Sequence, residues 1–189
     1  MRSMSGNEQA KLVVFIDPRI AKATAGDKVA AQQLLKDILP RVRNLVRYLV
    51  RGDVDVDDMT QQALLAVLRG LPTFRAEGKW LSWVDRITAR EALAYQKKKR
   101  NSQRKLHAYQ EDLSVLQENT SARSEYMARR DLARRLDQLP EAQRNVVVLH
   151  HVVGMTVPEL SEHLKIPFET AKSRLRLGMK KLRELRHET

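Results

Sequence analysis

Apolar and small residues in the run from Pro167 to Leu185 return every three or four positions, and this spacing constrains the chain more than any other feature it carries. Phe168, Ala171, Leu175, Gly178, Leu182 and Leu185 share one side of an α-helix of about 3.6 residues per turn. Glu169, Ser173, Arg176 and Lys180 fall on the opposite side, with Thr170, Lys172 and Arg174 on the flanks. A stripe that must be buried, backed by cations and short hydrogen-bonding side chains, suits a helix laid in the major groove of DNA. A solvated basic helix standing alone would read the same way.

What precedes it narrows the choice. From Gly154 to Ile166 the spacing predicts a short helix with a defined start. Thr156 can cap it, Glu159 can close a capping box, and Pro158 sits in the first turn, where its missing N–H costs nothing. Lys165 and Ile166 then make a tight turn, and Pro167 is preset for a new helix. A short helix, a turn and a longer basic helix form a helix-turn-helix. The apolar run from Leu139 to Val153, with Pro140 at its start, is a helix that can support the pair from behind.

Charge agrees with a polyanionic partner. The chain carries 35 Lys+Arg against 23 Asp+Glu, a formal +12, and the excess is local. Residues 97–105 hold six cations and no acid, and residues 172–187 hold seven cations and one acid, Glu184. Asp53 to Asp58, by contrast, is an acidic run. With no cysteine, disulfides and zinc–thiolate fingers are excluded, which suits the cytoplasm. No apolar run approaches the ~20 residues of a membrane span, and the start lacks a signal-peptide core, so no membrane insertion is expected.

The remaining punctuation predicts an all-α chain of two helical domains. Residues 1–17 form an N-terminal extension in which Val13 to Ile16 leads into a helix near Pro18–Ala25. Gly26 breaks that helix, and Asp27 caps the next, about 28–50, which Pro40 kinks or interrupts. Asp55 or Asp57 begins a helix ending at Gly70; Pro72 to Lys79 is a loop; Trp80 opens a helix running into the 97–100 cluster. The domains are then 18–100 and 124–189, joined by a polar linker at 101–123 that could hold a helical piece such as Leu106–Leu113.

The helix at 55–70 has a buried side of Met59, Ala63, Leu64, Val67 and Leu71. Opposite lie Asp58, Gln62, Leu65 and Arg69, with Gln61 beside them. A leucine ringed by polar groups fits a contact surface for a partner helix, although single exposed leucines are ordinary.

These residues carry a family resemblance. Asp55 to Arg69 (DVDDMTQQALLAVLR) followed by Pro72 to Ile87 (PTFRAEGKWLSWVDRI) resembles region 2 of bacterial sigma factors, most of all the extracytoplasmic-function (ECF) group. Leu139 to Leu175 resembles region 4 of the same group, with TAKSRL at 170–175 the most specific piece. The resemblance implies a protein that binds core RNA polymerase, at the β′ coiled coil and the β subunit, and directs promoter recognition and melting. It places Asp58, Gln61, Gln62, Leu65 and Arg69 against polymerase. The following loop, in such factors, holds a base flipped from the proximal promoter element. The matching residues are Thr73, Phe74, Arg75, Glu77, Lys79 and Trp80, and extrusion needs a pocket that compensates for lost stacking. Arg86, Arg90, Lys97, Lys98, Lys99 and Arg100 would track melting DNA, and Trp83 reads as core. Glu169, Thr170, Lys172, Ser173, Arg174, Arg176 and Lys180 would read the distal element, with Glu169 suited to a cytosine amino group and Arg176 to guanine. An anti-sigma factor is a further implied partner.

The sequence departs from the family pattern at Gln62, where an acid is common, at Arg90–Glu91, where Arg-Asn is usual, at Val153, where a charge is common, and at Lys165, where Gly is common. If the turn needs φ > 0, Lys165 costs about 1 kcal/mol. Two other classes compete with this reading. A helix-turn-helix regulator acting outside polymerase would need a sensing or dimerising domain, and no ligand pocket is evident. An enzyme is not expected: adjacent His150 and His151 point to different sides of a helix, and no phosphate loop, nucleophile motif, carboxylate pair, metal site or cofactor site stands out.

Overall fold

The computed structural model describes residues 17–76, 78–105 and 123–187. The Val13–Ile16 lead-in, Glu77 and the Leu106–Leu113 piece lie outside them. The described residues are helical, in the order α1 (Pro18–Thr24), α2 (Lys28–Leu49), α3 (Val56–Gly70), a 3-10 turn (Leu71–Thr73), α4 (Trp80–Lys105), α5 (Arg123–Asp137), α6 (Glu141–His151), α7 (Val157–Leu164) and α8 (Phe168–His187).

Local chemistry sets most of these boundaries. The Asp17 carboxylate accepts from the Arg19 N–H to cap α1, and Asp27 accepts from the Val29 and Ala30 N–H groups to cap α2. Pro40 does not interrupt α2, which runs unbroken to Leu49. The proline and Lys36, whose carbonyl loses its helical partner, are both exposed, so water can satisfy that group. Asp55 precedes α3, but its side chain makes no capping bond and turns instead to Lys99. Helix α4 runs past the basic cluster to Lys105, into the stretch read as linker. No Gly or Pro stops it, and cations suit a helix C-terminus.

Two groups of helices result. In the first, α2, α3 and α4 pack through Val42, Val46, Leu49, Met59, Ala63, Val67, Val84 and Ala92. Helix α1 adds a small cluster of Ile20, Ala23, Ala30, Leu34 and Leu71. In the second, Leu136, Leu139, Val146, Leu149, Leu160 and Ala171 close a core beneath the helix-turn-helix. Burying one such leucine contributes about 2 kcal/mol. The apolar cluster continues between the groups, because Tyr48, Leu49 and Val50 adjoin the second.

Two backbone sites position the last helix. A Cβ on Gly178 would come 2.7 Å from Val147 Cγ2, so glycine lets α8 lie close on α6. Lys165 ends α7 with φ 53°, ψ 49°, the left-handed conformation the tight turn demands. The anticipated cost of about 1 kcal/mol therefore applies. Val153 is buried, which explains an apolar residue at a site where a charge is common.

Candidate nucleic-acid interface

The helix-turn-helix is built from the bottom. Thr156 Oγ1 accepts from the Glu159 N–H, and Glu159 accepts from the Thr156 N–H at 2.7 Å, which completes the capping box. Ser161 Oγ donates to the Ile166 carbonyl at 2.6 Å and ties the turn. Helix α8 then buries Ala171, Gly178 and Leu185 and turns Glu169, Lys172, Arg176 and Lys180 to solvent. Thr170, Ser173 and Arg174 are half-buried beside that face. Phe168 opens the apolar stripe yet stays 45% exposed. Leu177, also exposed, stands beside Ser173 and Arg174 and had not been singled out from the spacing.

The loop before α4 brings three rings together. Phe74 meets the edge of Trp80 at 5.4 Å and tilts against Trp83 at 5.3 Å, while Trp80 and Trp83 stack at 5.2 Å. Trp83 is only half-buried: one side packs on Gly70, and the other lines an open cleft with Arg69, Thr73 and Arg90. Core packing thus describes one side of that ring. Thr73 Oγ1 donates to the Gly70 carbonyl at 2.7 Å, and Arg75 and Lys79 are exposed.

Along α4 the cations divide. Lys97 and Lys98 lie exposed beside Asn101 and Ser102. Lys99 is held by Asp55 at 2.6 Å, Arg86 by Glu159 at 2.7 Å and Arg100 by Glu141 at 3.4 Å, while Arg90 lies 3.6 Å from Glu91. On α3 the residues Asp58, Gln61, Gln62, Leu65 and Arg69 all face solvent on one side, with Leu65 44% exposed. Among the described residues no three His, Asp or Glu side chains gather as a metal site. His150 stacks edge-on with His151 at 4.7 Å and bonds the Met155 carbonyl. No described helix is long and apolar enough to cross a membrane.

Comparison with known proteins places both helical groups. Residues 34–102 match the model of sigma-70 region 2, and residues 129–182 match that of sigma-70 region 4. ECF RNA polymerase sigma factor SigM of Mycobacterium tuberculosis is 30% identical over 157 residues, covering 82% of this chain and 76% of that protein. The chain belongs to the ECF sigma factors of the sigma-70 family. RNA polymerase sigma factor CarQ of Myxococcus xanthus is 29% identical over 165 residues, 85% of this chain and 91% of that one. Two solved structures share the fold. The sigma factor RpoE in complex with the anti-sigma factor NepR, from Bartonella quintana, has a TM-score of 0.58 and 20% identity over 82% of this chain and 94% of that one. CnrH in complex with the cytosolic domain of CnrY has a TM-score of 0.53 and 22% identity over 90% and 96%. As a sigma factor the chain directs transcription initiation, and the reading as a free-standing regulator is not favoured.

Sequence reasoning missed the polar groups that organise this sigma factor internally. Asp85, 2% exposed, takes both arms of Arg41 at 2.7 and 2.6 Å and fixes α4 against α2. Gln96 and Asn145, each 7% exposed, join α4 to α6: the Asn145 amide donates to Gln96 Oε1 at 2.8 Å, and the Gln96 amide donates to the Leu49 carbonyl at 2.6 Å. Arg47 of α2 reaches Asp137 of α5 at 2.6 Å, and Arg51 donates to the Leu139 carbonyl at 3.0 Å. Arg144 shares Asp137 at 3.3 Å, and burial pushes its guanidinium below the usual arginine range. The partners are 44 to 90 positions apart in all but that last pair, which is why no local pattern announces them.

Proposed function

We propose that this sigma factor docks on core RNA polymerase, at the β′ coiled coil and the β subunit, through the exposed side of α3, and that its two basic helices divide promoter reading. Asp58, Gln61, Gln62, Leu65 and Arg69 form the polymerase face. Thr73, Phe74, Arg75, Glu77, Lys79 and Trp80 surround a base flipped from the proximal element, and Arg86, Arg90, Lys97, Lys98, Lys99 and Arg100 track the melting strands. Trp83, as the third ring beside the cleft, joins the proximal set. Glu169, Thr170, Lys172, Ser173, Arg174, Arg176 and Lys180 read the distal element in the major groove.

The observation that carries this reading is the solvent-facing cationic side of α8 behind a completed capping box on α7. The chain works in the cytoplasm, where polymerase is, without catalysis of its own. An anti-sigma factor controls it, as the relative bound to NepR suggests. Transcription in vitro with purified core polymerase and genomic DNA, with start sites mapped, tests the whole. Leu65→Arg should cut core binding at least tenfold, a loss of about 1.4 kcal/mol, without changing helicity. Core binding equal to that of the unmodified chain would remove α3 from the polymerase interface.

A further inference from the structure

We propose that the cleft between α3 and α4 is a guanine site, in which Trp83 carries the base and Glu91 and Arg90 read its edge. The proposal deepens the reading of the proximal set above and rests on it. The shape of the cleft, a carboxylate with acceptor sites to fill and the pairing chemistry of the bases carry it.

The cleft suits a flat ring. It holds about 410 Å³, inside the roughly 300–1,000 Å³ of small-ligand sites. Gly70 and Thr73 line one side, and Trp83, Ile87, Arg90 and Glu91 the other. A Cβ on Gly70 would come 3.2 Å from the Trp83 ring and from Ile87 Cδ1, so glycine lets the indole lie close. Trp80 stacks on that indole with planes 24° apart, and Phe74 tilts against it. The ring is therefore held before any ligand arrives, and its remaining surface faces the cleft. Buried Ile87 supplies an apolar floor between the indole and the charged end.

The charged end discriminates. Residues 90 and 91 lie two turns beyond 83, on the same side of α4, and helical side chains lean toward the N-terminus, back toward the indole. Glu91 is only a third exposed. Among the described residues its carboxylate accepts no hydrogen bond, and its ion contact, Arg90 Nε, stands 3.6 Å away, beyond hydrogen-bond length. An ionised carboxylate offers two oxygens as acceptors, and a guanidinium offers only donors. An unpaired guanine presents two adjacent donors, N1–H and the N2 amino group, next to the O6 acceptor. Glu91 can take both donors in parallel while Arg90 donates to O6. Adenine and cytosine set a ring-nitrogen acceptor beside the amino group, which a carboxylate repels, and thymine flanks one donor with two acceptors. In a duplex the guanine edge is already paired, so the base must come from an open strand or a free nucleotide.

The test uses the full chain in complex with core polymerase and fluorescein-labelled single strands of six thymines, one of them replaced by guanine or by adenine. Both replacements are purines, so stacking is matched and the edge decides. The guanine strand should bind about tenfold tighter than the adenine strand. Glu91→Gln should bring the two within about twofold, because glutamine keeps the shape but turns a donor toward a donor. Inosine in place of guanine removes only the N2 amino group and should cost the unmodified complex about fivefold, a loss that depends on no variant folding. Unlabelled 5′-GMP separates the two sources. If it displaces the strand as readily as unlabelled guanine strand does, the occupant is a free nucleotide; if the strand alone displaces, the occupant is promoter DNA. Equal binding of guanine and adenine strands, or a preference that survives both Glu91→Gln and inosine, would overturn the proposal. Loss of core polymerase binding would instead sink the sigma reading, and the free chain would then decide. Trp80 and Trp83 are its two tryptophans and both belong to the aromatic group, so their fluorescence reads the cleft directly. Stronger quenching by the guanine strand, or by 5′-GMP over 5′-AMP, supports the site, and equal quenching in both comparisons rules it out.

Discussion

Helices α4 and α8 are both long and basic, but they meet solvent differently. On α8 the cations Lys172, Arg174, Arg176, Lys180, Lys181 and Arg183 enter no ion pair in the described structure. On α4 three of the cations assigned to DNA are held by acids: Arg86 by Glu159, Lys99 by Asp55 and Arg100 by Glu141. Exposed ion pairs contribute little stability, so their significance lies in what they occupy. Charge along a helix says that a polyanion is welcome; it does not say that the surface is vacant. In this chain the cations proposed for the distal element stand clear of acids in the described structure, while three of those proposed for the proximal element are exposed but paired.

The largest blow to that contrast should come at Gly178. Gly178→Val forces side-chain atoms into Val147, with an expected loss of about 1–3 kcal/mol from the region 4 core and loss of distal-element binding. Region 2 has its own packing, so core polymerase binding through α3 should survive. Loss of both together, measured by polymerase pull-down and thermal melting, would show that the regions fold as one cooperative unit.

Next in size is the division of labour on α8. Arg176→Ala should relax preference at one promoter position by about 1–3 kcal/mol, while Lys181→Ala weakens all sequences alike and lowers the salt slope by about one. Binding to the mapped distal element and its single-base variants, at several salt concentrations, checks this. Uniform loss for Arg176→Ala would make it a phosphate contact. A gentler change is Lys165→Gly, which relieves the φ of 53° at the turn. It should stabilise region 4 by up to about 1 kcal/mol, visible in denaturant unfolding, and leave base preference unaltered.

The smallest effect is a pH dependence of stability set by His163. Burial first, then Arg86 and Arg90 of α4, holds His163 below its ordinary 6.5. Its own helix contributes Glu159, held at about 2 by its Thr156 backbone bond and then Arg86 and the Thr156 hydroxyl, so that carboxylate stays charged throughout. The depressed value means that the unfolded chain takes up the proton first as pH falls below 6.5. The His163 contribution to stability is therefore full above 6.5 and fades below it. Thermal melting between about pH 7.5 and 5.5 should show a small loss of stability, and His163→Gln should flatten the response.

What could be read from sequence was local. The Asp27 cap, the Thr156–Glu159 box, the left-handed site at Lys165 and the two faces of α3 and α8 each depend on neighbours within a turn or two, so spacing exposes them. Asp55 misled because its carboxylate had two uses, and the distant one, Lys99 and Tyr95, displaced the cap. Trp83 was half right, since helical periodicity assigns a side but not what stands beyond it. Asp85, Gln96, Arg144 and Asn145 were silent: a polar residue on an apolar face looks like an error until its partner, far along the chain, is known. The candidate DNA residues were legible by type, and their occupancy by acids was not.

Three charged residues that join the two regions, Arg47, Asp137 and Glu159, have a second partner on their own side. Arg47 retains Asp53 of region 2 at 2.5 Å, Asp137 retains Arg144, Glu159 retains the Thr156 backbone and hydroxyl, and the Gln96 amide retains the Leu49 carbonyl. Pulling the regions apart would therefore leave none of these three unpaired in a dry interior, which is where the heavy penalty for breaking a buried pair arises. The contact between the two regions is built like a clasp with a resting place for several of its hooks: firm in register and light to undo.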